Sequence, residues 1–163
     1  MTLSSIHIPV QIYPDHQALE PEDARLLEAA RGATDHAYAP YSKFRVGAAL
    51  RLSDGSIITG SNQENASFPA GICAERVALS AASAVAPGKA VTALALTYIN
   101  KSGAGQRPIS PCGICRQSLT EYEQRFDQPI RLILGGTTGE IFIFNKATDL
   151  LPFAFNSQEL KAF

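Results

Sequence analysis

Several things this chain lacks narrow its function before any motif is read. It has only three cysteines, which rules out a disulfide framework, and unpaired thiols in a reducing compartment commonly serve as metal ligands. It has no excess of positive charge: 14 Lys and Arg stand against 15 Asp and Glu, for a net charge of -1. Nucleic-acid binding draws on clustered cations that neutralise phosphates, so a long polyanion is excluded as a partner and a small neutral molecule suits the surface better. No apolar run approaches the roughly 20 residues of a membrane span. The opening MTLSSIHIPVQIY has no charged segment leading into a sustained apolar one, so no membrane association and a cytoplasmic location are expected. Internal repeats and low-complexity segments are also missing.

What is present describes one compact domain over residues 1–163, with 45% hydrophobic and 18% charged residues. A chain of this length buries roughly 70% of the surface it would expose unfolded. Ile6, Ile8, Val10 and Ile12 alternate, but Pro9 limits them to an edge strand or an extended arm. This part is weakly specified, and residues 1–20 are set apart as an N-terminal extension of uncertain role. Pro21, Glu22 and Asp23 start a helix, with Leu26, Ala30, Ala33 and Ala37 at helical spacing and a stop near Tyr38. Phe44, Val46, Ala48, Leu50 and Leu52 alternate as a strand, Asp54-Gly55 turns, and Ile57 and Ile58 open its hairpin partner. An alanine-rich helix spans Cys73–Ala86, and Val91–Ile99 is a strand apolar enough to be covered on both faces. A polar stretch with Gly103, Gly105 and Pro108 leads to a helix from Cys112 to Phe126, then strands at Ile130–Leu134 and Ile141–Phe144. Helices alternating with buried strands imply a layered α/β domain with helices on both faces of one sheet.

The thiols fall in two short motifs, Cys73 in CAER and Cys112 with Cys115 in PCGIC. Each motif sits at a predicted helix start, where free N–H groups and the helix dipole favour thiolate, the form that binds zinc. A lone CxxC is more often a structural zinc or redox motif. A closed structural site needs four protein ligands, however, and no fourth cysteine exists, while His7, His16 and His36 all precede the motifs. The remaining position falls to water, as in a catalytic site. Glu75 lies on the same first turn as Cys73; on its own it would be a carboxylate complementing a helix dipole, but beside an open zinc it is the base such chemistry needs. Arg76 and Arg116 follow the motifs directly and could offset the negative charge left by three thiolates around one zinc.

The segments YAPYSKFRVGAAL, SNQENASFPAGICAER, SPCGICRQSLTEY and LLPFAF, in that order, resemble the small homotetrameric, zinc-dependent cytidine deaminases from Ala37 to Phe155. The resemblance implies a three-layer α/β/α fold with a central mixed sheet, one zinc per chain on Cys73, Cys112 and Cys115, and Glu75 as proton shuttle. The reaction it implies is hydrolysis of cytidine and deoxycytidine to uridine and deoxyuridine plus ammonia, the chemistry general to zinc deaminases. Asn62 and Glu64 look like the pair that grips the sugar hydroxyls, Phe44 like the aromatic beside the pyrimidine, and the Ala74 backbone like a reader of the base's amide edge. Without the resemblance, Phe44 would be read as core and Asn62 and Glu64 as turn residues. Phe155 resembles an aromatic that reaches a neighbouring protomer's pocket, in keeping with the apolar LLPFAF tail. Phe68 stands where many relatives have Tyr. A deaminase of a modified pyrimidine nucleoside or nucleoside antibiotic is the alternative within enzymes, and a non-catalytic zinc-stabilised binding module the alternative outside them.

Overall fold

The structure, a computed structural model, describes residues 1–100 and 105–161; Gly103 of the polar stretch lies outside the described residues. In chain order the elements are β1 (Gln11–Tyr13), α1 (Pro21–Ala33), β2 (Arg45–Leu52), β3 (Ile57–Ser61), α2 (Ala74–Val85), β4 (Val91–Ile99), α3 (Gly113–Phe126), β5 (Arg131–Gly135), β6 (Ile141–Phe144) and α4 (Ser157–Lys161). The strands form one mixed sheet in the order β1-β6-β5-β4-β2-β3. Strands β4 and β5 are parallel and the other neighbours antiparallel.

Successive side chains of a strand point to opposite faces, and the sequence uses both. Ala49, Ala93, Ala95, Ile133, Ile141 and Ile143 face Leu26, Leu27 and Ala30 of α1. Their neighbours Ala48, Leu50, Leu94, Leu96, Leu132 and Leu134 face Ala78, Leu79 and Ala82 of α2 and Leu119 of α3. This is the expected three-layer α/β/α arrangement, with β4 near its centre and buried from Ala93 to Tyr98. No helix among the described residues is long and apolar enough to cross a membrane.

Two glycines set how closely the helices approach. A Cβ on Gly47 of β2 would lie 2.0 Å from the Ala30 carbonyl oxygen of α1. A Cβ on Gly60 of β3 would lie 2.5 Å from the Ala78 nitrogen and 2.6 Å from the Ala74 carbonyl oxygen of α2. Only a residue without a side chain permits such contact between backbones. Gly60 thereby fixes the first turns of α2, which carry Cys73 and Glu75, against the sheet.

The first helix is shorter than its spacing suggests. It ends at Ala33 and tightens into a 3-10 turn over Thr34–His36, leaving Ala37 extended. The Thr34 hydroxyl donates to the Arg31 carbonyl at 2.7 Å, occupying a terminal acceptor that a continuing helix would use. The N-terminal arm does form an edge strand, but only Gln11–Tyr13 pairs, with Ile141–Ile143 of β6. Ile6, Ile8, Val10 and Ile12 all remain exposed.

Candidate active site

Helices α2 and α3 each begin on the residue after a cysteine, with Cys73 and Cys112 as the flanking N-terminal positions and Cys115 in the first turn of α3. The two starts converge. Cys73 Sγ lies 3.8 Å from Cys112 Sγ, and Cys112 Sγ lies 3.4 Å from Cys115 Sγ. All three sulfurs fall within 4.8 Å of one another. Tetrahedral zinc with Zn–S bonds of about 2.3 Å separates its sulfurs by roughly 3.8 Å, so this donor set fits one zinc ion with a fourth position outside the protein's own ligands.

Cys73 and Cys115 shift each other's ionisation in opposite directions. A hydrogen bond from Cys115 pulls the Cys73 thiol down to about 6, helped by Cys112 and the charge of Arg76 and opposed by burial. The Cys115 thiol is pushed up, first by that same bond to Cys73 and then by burial. Glu75 is only 3% exposed, and burial, reinforced by the charge of Cys73, raises its carboxyl above the ordinary range.

Cys73, Cys112, Ala74 and Glu75 line one cavity of about 860 Å³ that opens to solvent. The lining also draws on the segment before β2 and the segment after β3, with Phe44, Asn62 and Glu64. These two segments are stitched together. Asn62 Oδ1 accepts from the Val46 N–H at 2.8 Å while its Nδ2 donates to the Phe44 carbonyl at 2.9 Å. Glu64 accepts from the Tyr41 N–H at 2.8 Å, from the Ser42 N–H and from the Ser42 hydroxyl. The Ser42 hydroxyl, then these backbone groups, hold the Glu64 carboxyl below its usual value. A carboxylate offers about four acceptor positions, so Glu64 keeps capacity for a further donor. The same bonds brace Lys43, whose φ of 58° is unusual for a residue with a side chain.

The remaining expected residues take different places. Arg116 donates from Nε to the Pro111 carbonyl at 2.8 Å and from a terminal nitrogen to the Leu150 carbonyl at 3.2 Å. It thus clamps the PCGIC turn to the C-terminal segment as well as bringing charge beside it. Arg76, partly buried on the first turn of α2, acts on Cys73 through its charge. Phe155 is not among the residues that line its own chain's cavity; it is 58% exposed, with its carbonyl accepting from Gln117 Nε2 at 2.7 Å. Phe68 does line the cavity and meets Tyr41 edge to face at 6.1 Å. Sequence reasoning did not single out Ser42, Ile109 and Ser110, which also line it. The Ser42 to Glu64 bond joins residues 22 positions apart, and nothing local signals it.

The family model for the cytidine and deoxycytidylate deaminase zinc-binding region matches residues 20–126. The cytidine deaminase of Halalkalibacterium halodurans is 40% identical over 136 residues, 83% of this chain and 95% of the relative. The chain belongs to this deaminase family. A solved cytidine deaminase from Burkholderia pseudomallei superposes with a TM-score of 0.70 at 41% identity, covering 80% of this chain and 97% of its own. A blasticidin-S deaminase from Bacillus cereus is 31% identical over 105 residues, 62% of this chain and 73% of the relative. The matched deaminase region takes in the thiol cluster, Glu75 and the cavity wall from Phe44 to Glu64.

Proposed function

We propose that the chain hydrolyses cytidine and deoxycytidine to uridine and deoxyuridine, releasing ammonia. The observation that carries this reading is a buried carboxylate, Glu75, beside a zinc-fitting trio of thiols at a cavity roomy enough for a nucleoside.

When bound by Cys73, Cys112 and Cys115, zinc supplies Lewis acidity that lowers the pKa of water toward neutrality and makes it a nucleophile. Glu75 takes the proton that water gives up and delivers it to ring N3 as the new C4–O bond forms. It then takes the proton of the new C4 hydroxyl to the departing amino group, so that the C4–N bond breaks, the C4 keto group forms and ammonia leaves. Burial suits Glu75 to this task, because a carboxyl raised above its ordinary range holds a proton more readily than an exposed one while still able to return it. Phe44 packs on the pyrimidine, Asn62 and Glu64 take the sugar hydroxyls, and the Ala74 backbone, at a helix start whose N–H groups the helix itself cannot satisfy, reads the base's amide edge. Arg76 and Arg116 offset the negative charge of the thiolates.

The molecule works as a cytoplasmic homotetramer in pyrimidine salvage, its single domain of residues 1–163 carrying residues 1–20 as an extension. Supporting the oligomer, Tyr41, Phe68, Ile114, Phe153 and Phe155 are each more than half exposed. Apolar surface of this kind is usually covered by another chain, and Phe155 meets the cavity of a neighbouring protomer.

A second substrate class draws support from the likeness to the blasticidin-S deaminase, so the deciding assay compares the two. Zinc-loaded protein is incubated with cytidine, deoxycytidine and blasticidin S, following ultraviolet absorbance and ammonia. Conversion of the first two is expected. Turnover of blasticidin S alone would move the substrate class, and no turnover of any would return the chain to a zinc-stabilised binding module.

A further inference from the structure

Phe44 ends the loop that walls the cavity and precedes β2 by one residue, so strand pairing alone does not hold its ring. Tyr98 of β4 packs against that ring. The two rings stack with centroids 4.8 Å apart and planes 22° from parallel. Register explains the contact: Val46 is directly opposite Tyr98, and a residue two positions before Val46 on the same face is the diagonal neighbour of Tyr98, within reach of an aromatic side chain. Tyr98 is 7% exposed and is not itself part of the cavity lining, whereas Phe44, Val46 and Leu96 are. Tyr98 is therefore placed to act on the cavity through Phe44.

The Phe44 backbone is pinned separately. Its carbonyl accepts from Asn62 Nδ2 at 2.9 Å and its N–H donates to the Ser42 hydroxyl at 2.9 Å. Those bonds fix where the side chain starts, and the stack on Tyr98 fixes which way its ring faces. An aromatic wall that is already oriented costs a flat ligand less ordering on binding than one that must be oriented by it.

Resting on the proposed nucleoside chemistry, we infer that Tyr98 is a positioning residue for base recognition, holding the Phe44 ring as a preset wall against the pyrimidine. Tyr98 touches neither the substrate nor the reacting atoms, so its effect falls on KM and leaves kcat and zinc content in place. The test is a double-mutant cycle in zinc-replete protein, assayed with cytidine well below each variant's Tm. Tyr98→Leu should raise KM about three- to tenfold, the scale of one aromatic pair, with kcat unchanged. Tyr98→Phe, which keeps the ring, should restore KM to within about twofold of the parent. In a Phe44→Leu background Tyr98→Leu should produce no further rise, because the wall it supports is gone. Should Tyr98→Leu fail to fold, Tyr98→Met keeps volume without the ring and carries the same cycle. An unchanged KM in the folded variant, or a rise that persists in full on top of Phe44→Leu, overturns the assignment. Cytidine turnover by the parent protein tests the reaction independently, so failure of the one is not mistaken for failure of the other.

Discussion

On one face of the sheet α1 packs Leu26, Leu27 and Ala30 against Ala93, Ala95 and Ile133 in a layer where all six are 0% exposed. On the other, α2 and α3 share the covering, and their starting turns meet at a cavity of about 860 Å³. Each face also buries a carboxylate. Asp23, 4% exposed, is met by Arg131 at 2.9 Å and by Arg51 at 3.7 Å. Glu75, 3% exposed, is faced by thiols, and the charge of Cys73 opposes its own ionisation. A buried charge with its counter-charge in place belongs to the architecture; one held in the company of like charge is poised to give and take a proton.

The comparison breaks most completely at the thiols. Replacing Cys112 or Cys115 by Ala leaves two of the three sulfurs, which hold zinc poorly, so metal and turnover should vanish together in elemental analysis and activity assay. Full zinc occupancy in either variant would mean that other residues bind the metal.

Next in size is Glu75→Gln, which should keep zinc but lower kcat by roughly 10²–10⁴-fold, the usual contribution of a general acid–base group. The pH dependence has a definite sign. A base works only when deprotonated, and zinc with three thiolates keeps a net negative charge that still disfavours a second anion. Turnover should therefore fall as pH drops through a value above the ordinary carboxylate range, and this acid limb should be absent from Glu75→Gln.

The glycines sharpen the contrast between the faces. Gly47→Ala forces α1 away from β2, and Gly60→Ala forces α2 away from β3, each costing about 1–3 kcal/mol as overpacking usually does. Thermal unfolding should register both. Only Gly60→Ala should also lower kcat or zinc content, because only α2 carries Cys73 and Glu75.

The smallest effect lies outside both faces. Phe155→Ala should raise KM for cytidine severalfold and weaken association, with zinc retained, as kinetics and light scattering would report. A change in neither quantity would remove Phe155 from the shared pocket.

Much of this arrangement was legible in the chain itself. The alternation in β2, the nearly continuous apolar run of β4, the turn at Asp54-Gly55 and the two cysteine motifs at helix starts predicted the layers and brought the thiols and Glu75 together. What escaped depends on partners distant in sequence. Glu123, which no motif singles out, is 7% exposed and accepts N–H bonds from Ile130, Ala147 and Thr148. Tyr98 reads as one more residue of a buried strand, and its stack on Phe44 depends on a register that neither strand encodes alone. Arg116 was legible as a charge near sulfur but not as a clamp, because the Leu150 carbonyl it reaches lies 34 residues away.

The central claim, that the chemistry resides where α2 and α3 start, is tested most directly by titrating metal-free protein with zinc while following cytidine turnover. Activity should rise in proportion to added zinc and level off at one ion per chain, in step with uridine and ammonia released in equal amounts. Turnover that is indifferent to zinc, or no turnover with one zinc bound at the three cysteines, would contradict it.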